Sequence, residues 1–191
     1  NFASVAEVGF TADINQVDIL CLAETNVDWQ DQRNRIACES HLRPFWKSIQ
    51  MVTASSGMTH GTAYQPGGVA TIIGGDWVGR LSKKEADAHG LGRWTTCTLQ
   101  GKDNTRLTII TAYQVCNDRI ESTGPKTAFR QQYSLLRTVH GDLDPNPRKQ
   151  FIRDLDSLLR ELVDEGHEIL LLLDANESLS DRTSGGIRDL T

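Results

Sequence analysis

Two acidic residues stand where long apolar runs stop. Glu24 closes the run in Val17–Thr25 (VDILCLAET), and Asp174 closes the run in Ile169–Glu177 (ILLLLDANE), with Asn176 two places beyond. Apolar runs of this length read as fully buried strands of a layered αβ protein. A carboxylate at the end of such a strand can face a cleft without being buried in the sheet. Two such ends in one chain suggest a metal-assisted site, and a phosphoester is the substrate class that most needs one. Attack on it develops charge on the non-bridging and leaving oxygens, which a divalent cation offsets.

The elements that must position these residues follow from the pattern between them. Helical spacing covers residues 2–13, and the first strand is Val17–Ala23. Trp29–Leu42 reads as a surface helix ended by Pro44. Ser48–Ala54 reads as a strand, Ser55–Pro66 as a loop and Gly68–Ile73 as a glycine-flanked strand. Asp76–Leu91 reads as a mixed loop, with Lys83, Lys84 and Glu85 as solvated surface. Arg93–Gln100 and Arg106–Tyr113 flank Gly101-Lys102-Asp103-Asn104, the composition of a β-hairpin turn. Helical spacing returns at Lys126–Val139 and, more strongly, at Arg148–Glu165, which Gly166 ends before the strand Glu168–Leu173. The order fits two sheets sandwiched between helices, and the hairpin rules out a wholly parallel sheet.

The 191 residues suit a single domain with a proper core. No apolar stretch approaches the roughly 20 residues needed to span a bilayer, so no membrane partner is expected. The formal net charge of −5 argues against a surface coated in positive charge for nucleic acid, yet allows a local basic rim round an acidic cleft. Cys21, Cys38, Cys97 and Cys116 are widely spaced with no CxxC pair. They read as buried, reduced thiols, which points to an intracellular protein, nuclear or cytoplasmic.

Four blocks, in order, give the chain a family likeness. ILCLAET (Ile19–Thr25), GGVATII (Gly67–Ile73), the hairpin from GRWTTCTL to LTIITAY (Gly92–Tyr113) and LLLLDANES (Leu170–Ser178) resemble the endonuclease/exonuclease/phosphatase superfamily. In feel the blocks are nearest to its retrotransposon-type and abasic-site endonucleases. Ala23 stands where the family usually has Gln, and Leu173 where it has Gly. The resemblance implies an α/β (α+β) fold, a DNase-like two-layer β-sandwich of mixed sheets flanked by helices.

By the same resemblance Glu24 is the ligand of Mg²⁺ (or Mn²⁺), and Asp174 orients or deprotonates the attacking water. Asn176 polarises a phosphate oxygen, and Tyr113 donates its hydroxyl to the phosphate. Asn117, one position later than the asparagine that usually follows the family's tyrosine, and Arg93 are substrate-binding candidates. The implied activity is metal-dependent phosphodiester hydrolysis of DNA, in a retroelement setting. The alternatives are an inactive remnant or interaction module and a lipid or inositol phosphatase.

Other readings of the same residues stand beside these. Glu24 can be a surface acid that ends a strand, Asp174 and Asn176 turn-formers, and Tyr113 a core tyrosine. A nucleotide triphosphatase is excluded, because no G-x-x-x-x-G-K-S/T loop accompanies the acidic strand. The family's first-strand Asn and late Asp-His pair have no counterpart among residues 1–191, so the resemblance implies a domain incomplete at both ends.

Overall fold

The computed structural model describes residues 3–58, 65–116, 124, 126–177, 186, 187 and 190. Among the described residues, seven strands and four α-helices run in the order α1 (Ala3–Ile14), β1 (Ile19–Ala23), α2 (Gln32–Leu42), β2 (Ile49–Ala54), β3 (Val69–Gly74), β4 (Leu81–Ala86), β5 (Trp94–Gln100), β6 (Arg106–Tyr113), α3 (Ala128–Thr138), α4 (Pro147–Asp164) and β7 (Glu168–Asp174). They form two sheets, β1-β3-β2 and β4-β5-β6-β7. The first is antiparallel throughout, and in the second only β6 and β7 run parallel. This is a mixed α+β sandwich.

Period-two alternation sorts side chains between the layers. From β1, Ile19 and Cys21 point inward and join Ile73, Cys97, Leu99 and Ile109 between the sheets. Leu20 and Leu22 point outward beneath the first two helices, with Leu42, Trp46 and Ile72. On the far side, Phe151, Ile152 and Leu155 of α4 cover Ile169, Leu171 and Leu173 of β7. The sheets are also joined by hydroxyls: Thr71 of β3 lies 2.8 Å from Thr95 of β5 and 2.6 Å from Thr111 of β6, oxygen to oxygen.

Helix ends follow local chemistry. The Asn146 side chain accepts from the Lys149 amide, and Pro147 occupies the first turn of α4. At the other end Gly166 takes φ 77°, and the amides of Gly166 and His167 donate to Val163 and Leu162. That is the left-handed closure a glycine permits at least cost.

Three expectations need correction. Residues 76–91 are not all loop: after a 3-10 turn (Gly75–Arg80), β4 pairs with β5 through Leu81, Lys83, Lys84, Glu85 and Ala86. Backbone pairing at a sheet edge needs no apolar side chains, so the exposed lysines hid the strand. The two apolar runs are not fully buried strands either. β1 is half-buried throughout, and in β7 Leu170 and Leu172 are 49% and 40% exposed. Both lie at the end of their sheet, whereas the central β3 is buried at every position. Lastly, Cys116 is exposed while Cys38 and Cys97 are buried and Cys21 is half-buried. Among the described residues no helix is long and apolar enough to cross a membrane.

Candidate active site

The turn after β1 carries the first element of the site. Glu24 and Asn26 take φ values of 50° and 54°. Asparagine tolerates that region, but glutamate seldom does, and such strain gathers at functional positions. The turn is sewn to the glycines before β3. Thr25 and Asn26 donate backbone N–H to Gly68 and Gly67, and the Gly67 amide donates to Asn26 Oδ1. Gly67 has φ 74°, and a Cβ there would stand 3.4 Å from the Tyr113 ring. The glycine therefore lets the Glu24 turn and the end of β6 close on one another.

Between them lies a cavity of about 180 Å³. Glu24, Gly67, Tyr113, Val115, Cys116 and Lys126 are among its lining residues. Tyr113 is both a core tyrosine, packed with Val69, Val115 and Phe129, and a wall of this cavity.

The acid–amide pair at the end of β7 is tied to the end of β6, and neither of its residues lines this cavity. Tyr113 and Asp174 are register partners across the parallel pair, and Gln114 N–H donates to the Asp174 carbonyl. Asp174 Oδ1 accepts from the Asn176 amide at 3.2 Å. Asn176, at φ 48°, donates Nδ2 to the Gln114 carbonyl at 2.8 Å, and its Oδ1 accepts from the Cys116 thiol at 3.4 Å. The structure thus brings Glu24 and Tyr113 to one cavity, ties Asn176 to its Cys116 wall, and ties Asp174 to Asn176.

The remaining sequence candidates are Asn117 and Arg93. Asn117 lies outside the described residues. Arg93 is not at a substrate surface: it is 0% exposed, with Nε and Nη2 donating to Asp87 at 2.8 and 3.0 Å and Nη1 donating to Asp154 at 2.6 Å. Nη2 also donates to His89 Nδ1, and the guanidinium stacks 4.2 Å from the Trp94 ring centroid. A buried guanidinium needs carboxylates around it, and Arg93 is the centre of an internal ion-pair cluster rather than a substrate contact.

Lys126 and Cys116 at the cavity, and Arg148 behind it, were not singled out from the sequence. Arg148 is buried at the start of α4. It donates Nη1 to the carbonyls of Val115 and Ala175, and Nη2 to Glu177 at 2.7 Å. Glu177 had a signal, since it directly follows Asp174-Ala175-Asn176. Arg148 had none, because its partners lie 27 to 33 residues away.

The donor set decides which metal would suit. Among the described residues no three His, Cys, Asp or Glu side chains stand together as a cage. One exposed carboxylate, Glu24, opens on the cavity, which Tyr113 also lines. That fits a hard cation such as Mg²⁺, which typically takes one or two carboxylates and completes its shell with water and phosphate. It does not fit the closed nitrogen and sulfur set of a structural zinc site.

No protein-family model matches the chain, and no curated protein matches it. Among solved structures it is similar to an endonuclease/exonuclease/phosphatase family protein from Leptotrichia buccalis C-1013-b, at 10% identity and TM-score 0.39, over 74% of this chain and 57% of that one. It is similar to ANGEL2, a 2',3'-cyclic phosphatase solved with adenosine-2',3'-vanadate, at 13% identity and TM-score 0.47, over 91% and 44%. A third is an endonuclease/exonuclease/phosphatase from Beutenbergia cavernae DSM 12333, at 9% identity and TM-score 0.36, over 73% and 39%. The chain spans about half the length of these neighbours.

Proposed function

We propose that this chain carries the centre of a Mg²⁺-dependent phosphodiesterase that cleaves DNA endonucleolytically, in a retroelement setting and so in the nucleus or cytoplasm. One observation carries the reading: Glu24 and Tyr113 share a cavity whose Cys116 wall is bonded to Asn176, itself bonded to Asp174.

Each residue has a role its chemistry suits. Glu24 anchors the cation, which when bound supplies positive charge against the phosphate oxygens. Asp174, a carboxylate at a strand end, accepts the proton of the attacking water or orients it. Asn176 offers its amide and Tyr113 its hydroxyl to a non-bridging oxygen as charge grows there. Lys126, an exposed cation lining the cavity, suits the polyanionic backbone of a nucleic acid.

Nicking of supercoiled plasmid with Mg²⁺, and its loss with EDTA, tests the reading. Glu24→Gln and Asp174→Asn should each lower the nicking rate by about 10²-fold or more. Full activity in both variants sinks the assignment.

A second reading has its own observation. Glu24 also borders an apolar cavity of about 400 Å³ beneath α1, lined by Val5, Val8, Leu22 and Trp29. A phosphoester with an apolar arm, such as a lipid headgroup phosphate, would fit both spaces. Phosphate release from lipid vesicles without plasmid nicking would favour it.

A further inference from the structure

We infer that Arg148 is a positioning residue that locks the two catalytic turns together, an inference that rests on the site proposed above. The strand exit 113–116 and the turn 174–177 come from different parts of the chain. Beyond the β6–β7 ladder they are joined by few groups, and Arg148 supplies three of the links. Its guanidinium donates to Val115 O on one turn, and to Ala175 O and Glu177 Oε2 on the other. Its own carbonyl accepts from Gln114 Nε2 at 3.3 Å. A planar fork with five fixed donors can satisfy several acceptors at once, which a lysine ammonium on a flexible stem cannot hold in register.

The partner carboxylate is itself fixed. Glu177 Oε1 accepts the backbone N–H of Ile187, so the ion pair is also tied to that residue. Both side chains of the pair are about nine-tenths buried. A charge pair held out of water this way has one dominant geometry, because neither partner gains by leaving the other unpaired. Neither group lines the cavity. Their effect on the reaction must pass through the neighbouring Asn176 and Tyr113, which follow and precede the carbonyls the fork holds at Ala175 and Val115. Small displacements of aligned groups cost rate far more than they cost substrate affinity.

The test uses Arg148→Lys and Glu177→Gln in the intact protein, with two readouts. The first is amide hydrogen exchange, which needs no activity. Exchange at Gln114 and Asn176 should speed up at least tenfold in both variants, while Cys97, Leu99 and Ile109 of the inter-sheet core keep wild-type protection. The second is nicking kinetics, where kcat should fall about 10- to 100-fold with KM within threefold, and Arg148→Lys should not restore it. Uniformly faster exchange would overturn the inference by making the pair a general stabiliser. So would unchanged exchange with normal kcat. If the local exchange pattern appears but Asp174→Asn nicks at the wild-type rate, the site reading fails and the positioning role falls with it. If Asp174→Asn is dead while both Arg148 and Glu177 variants are normal, only the positioning role fails.

Discussion

At the level of single residues, environment rather than type decides what an ionisable group does. Arg93 and Arg148 are both buried arginines paired with carboxylates, yet Arg93 is tied to Asp87 and Asp154, neither of which lines the cavity. Arg93→Met should therefore lower stability by about 3–5 kcal/mol, the usual cost of leaving a buried carboxylate without its partner. Urea denaturation reads that loss, and an unchanged midpoint would return Arg93 to the list of surface groups.

The cysteines obey the same logic. Burial pushes the Cys97 thiol up to about 12 and Cys38 up to about 11, from an ordinary 9.0. A raised folded value means the native state holds the proton more tightly. The resulting stability is complete below about pH 9 and is lost as pH rises towards 11–12. The urea midpoint should fall between pH 8 and pH 10.5, and Cys97→Ala should flatten that fall. Alkylation at pH 8 should label exposed Cys116 well before Cys38 or Cys97.

Among elements, α4 and β7 show how far an apolar pattern can be trusted. In α4 the helical spacing of Phe151, Ile152, Leu155 and Leu162 corresponds to the buried face. In β7 the unbroken run Ile169–Leu173 conceals an alternation, with odd positions under α4 and Leu170 and Leu172 turned to the open side. Leu155→Ala should cost about 2–5 kcal/mol, as for other fully buried leucines. Leu172→Ala should cost about 1 kcal/mol or less. Comparable losses at the two positions, measured by thermal or urea unfolding, would mean that β7 is covered on both faces in solution.

For the molecule as a whole, the two sheets are joined by more than oily contact. The Thr71–Thr95–Thr111 hydroxyl group is buried between them, and each member has its partner within the group. Thr71→Val keeps the shape but removes the hydroxyl that bonds both of the others, so it should cost about 1–3 kcal/mol. Calorimetry would show this as one lowered transition. A transition split in two would instead mean the sheets fold as separate units.

The sequence alone determined what depends on local pattern. The helices, the β5–β6 hairpin, the closing Gly166, and the acids that end β1 and β7 are all legible there, because turn chemistry and side-chain periodicity act over a few residues. Tertiary structure decided what depends on distant partners. It made a strand of lysine-bearing β4, turned Arg93 inward to Asp87 and Asp154, set Glu24 beside Tyr113 across Gly67, and put Arg148 behind Asn176. Each outcome is settled by backbone hydrogen bonds, desolvation and charge pairing between segments far apart in the chain, and such pairings leave no spacing to read.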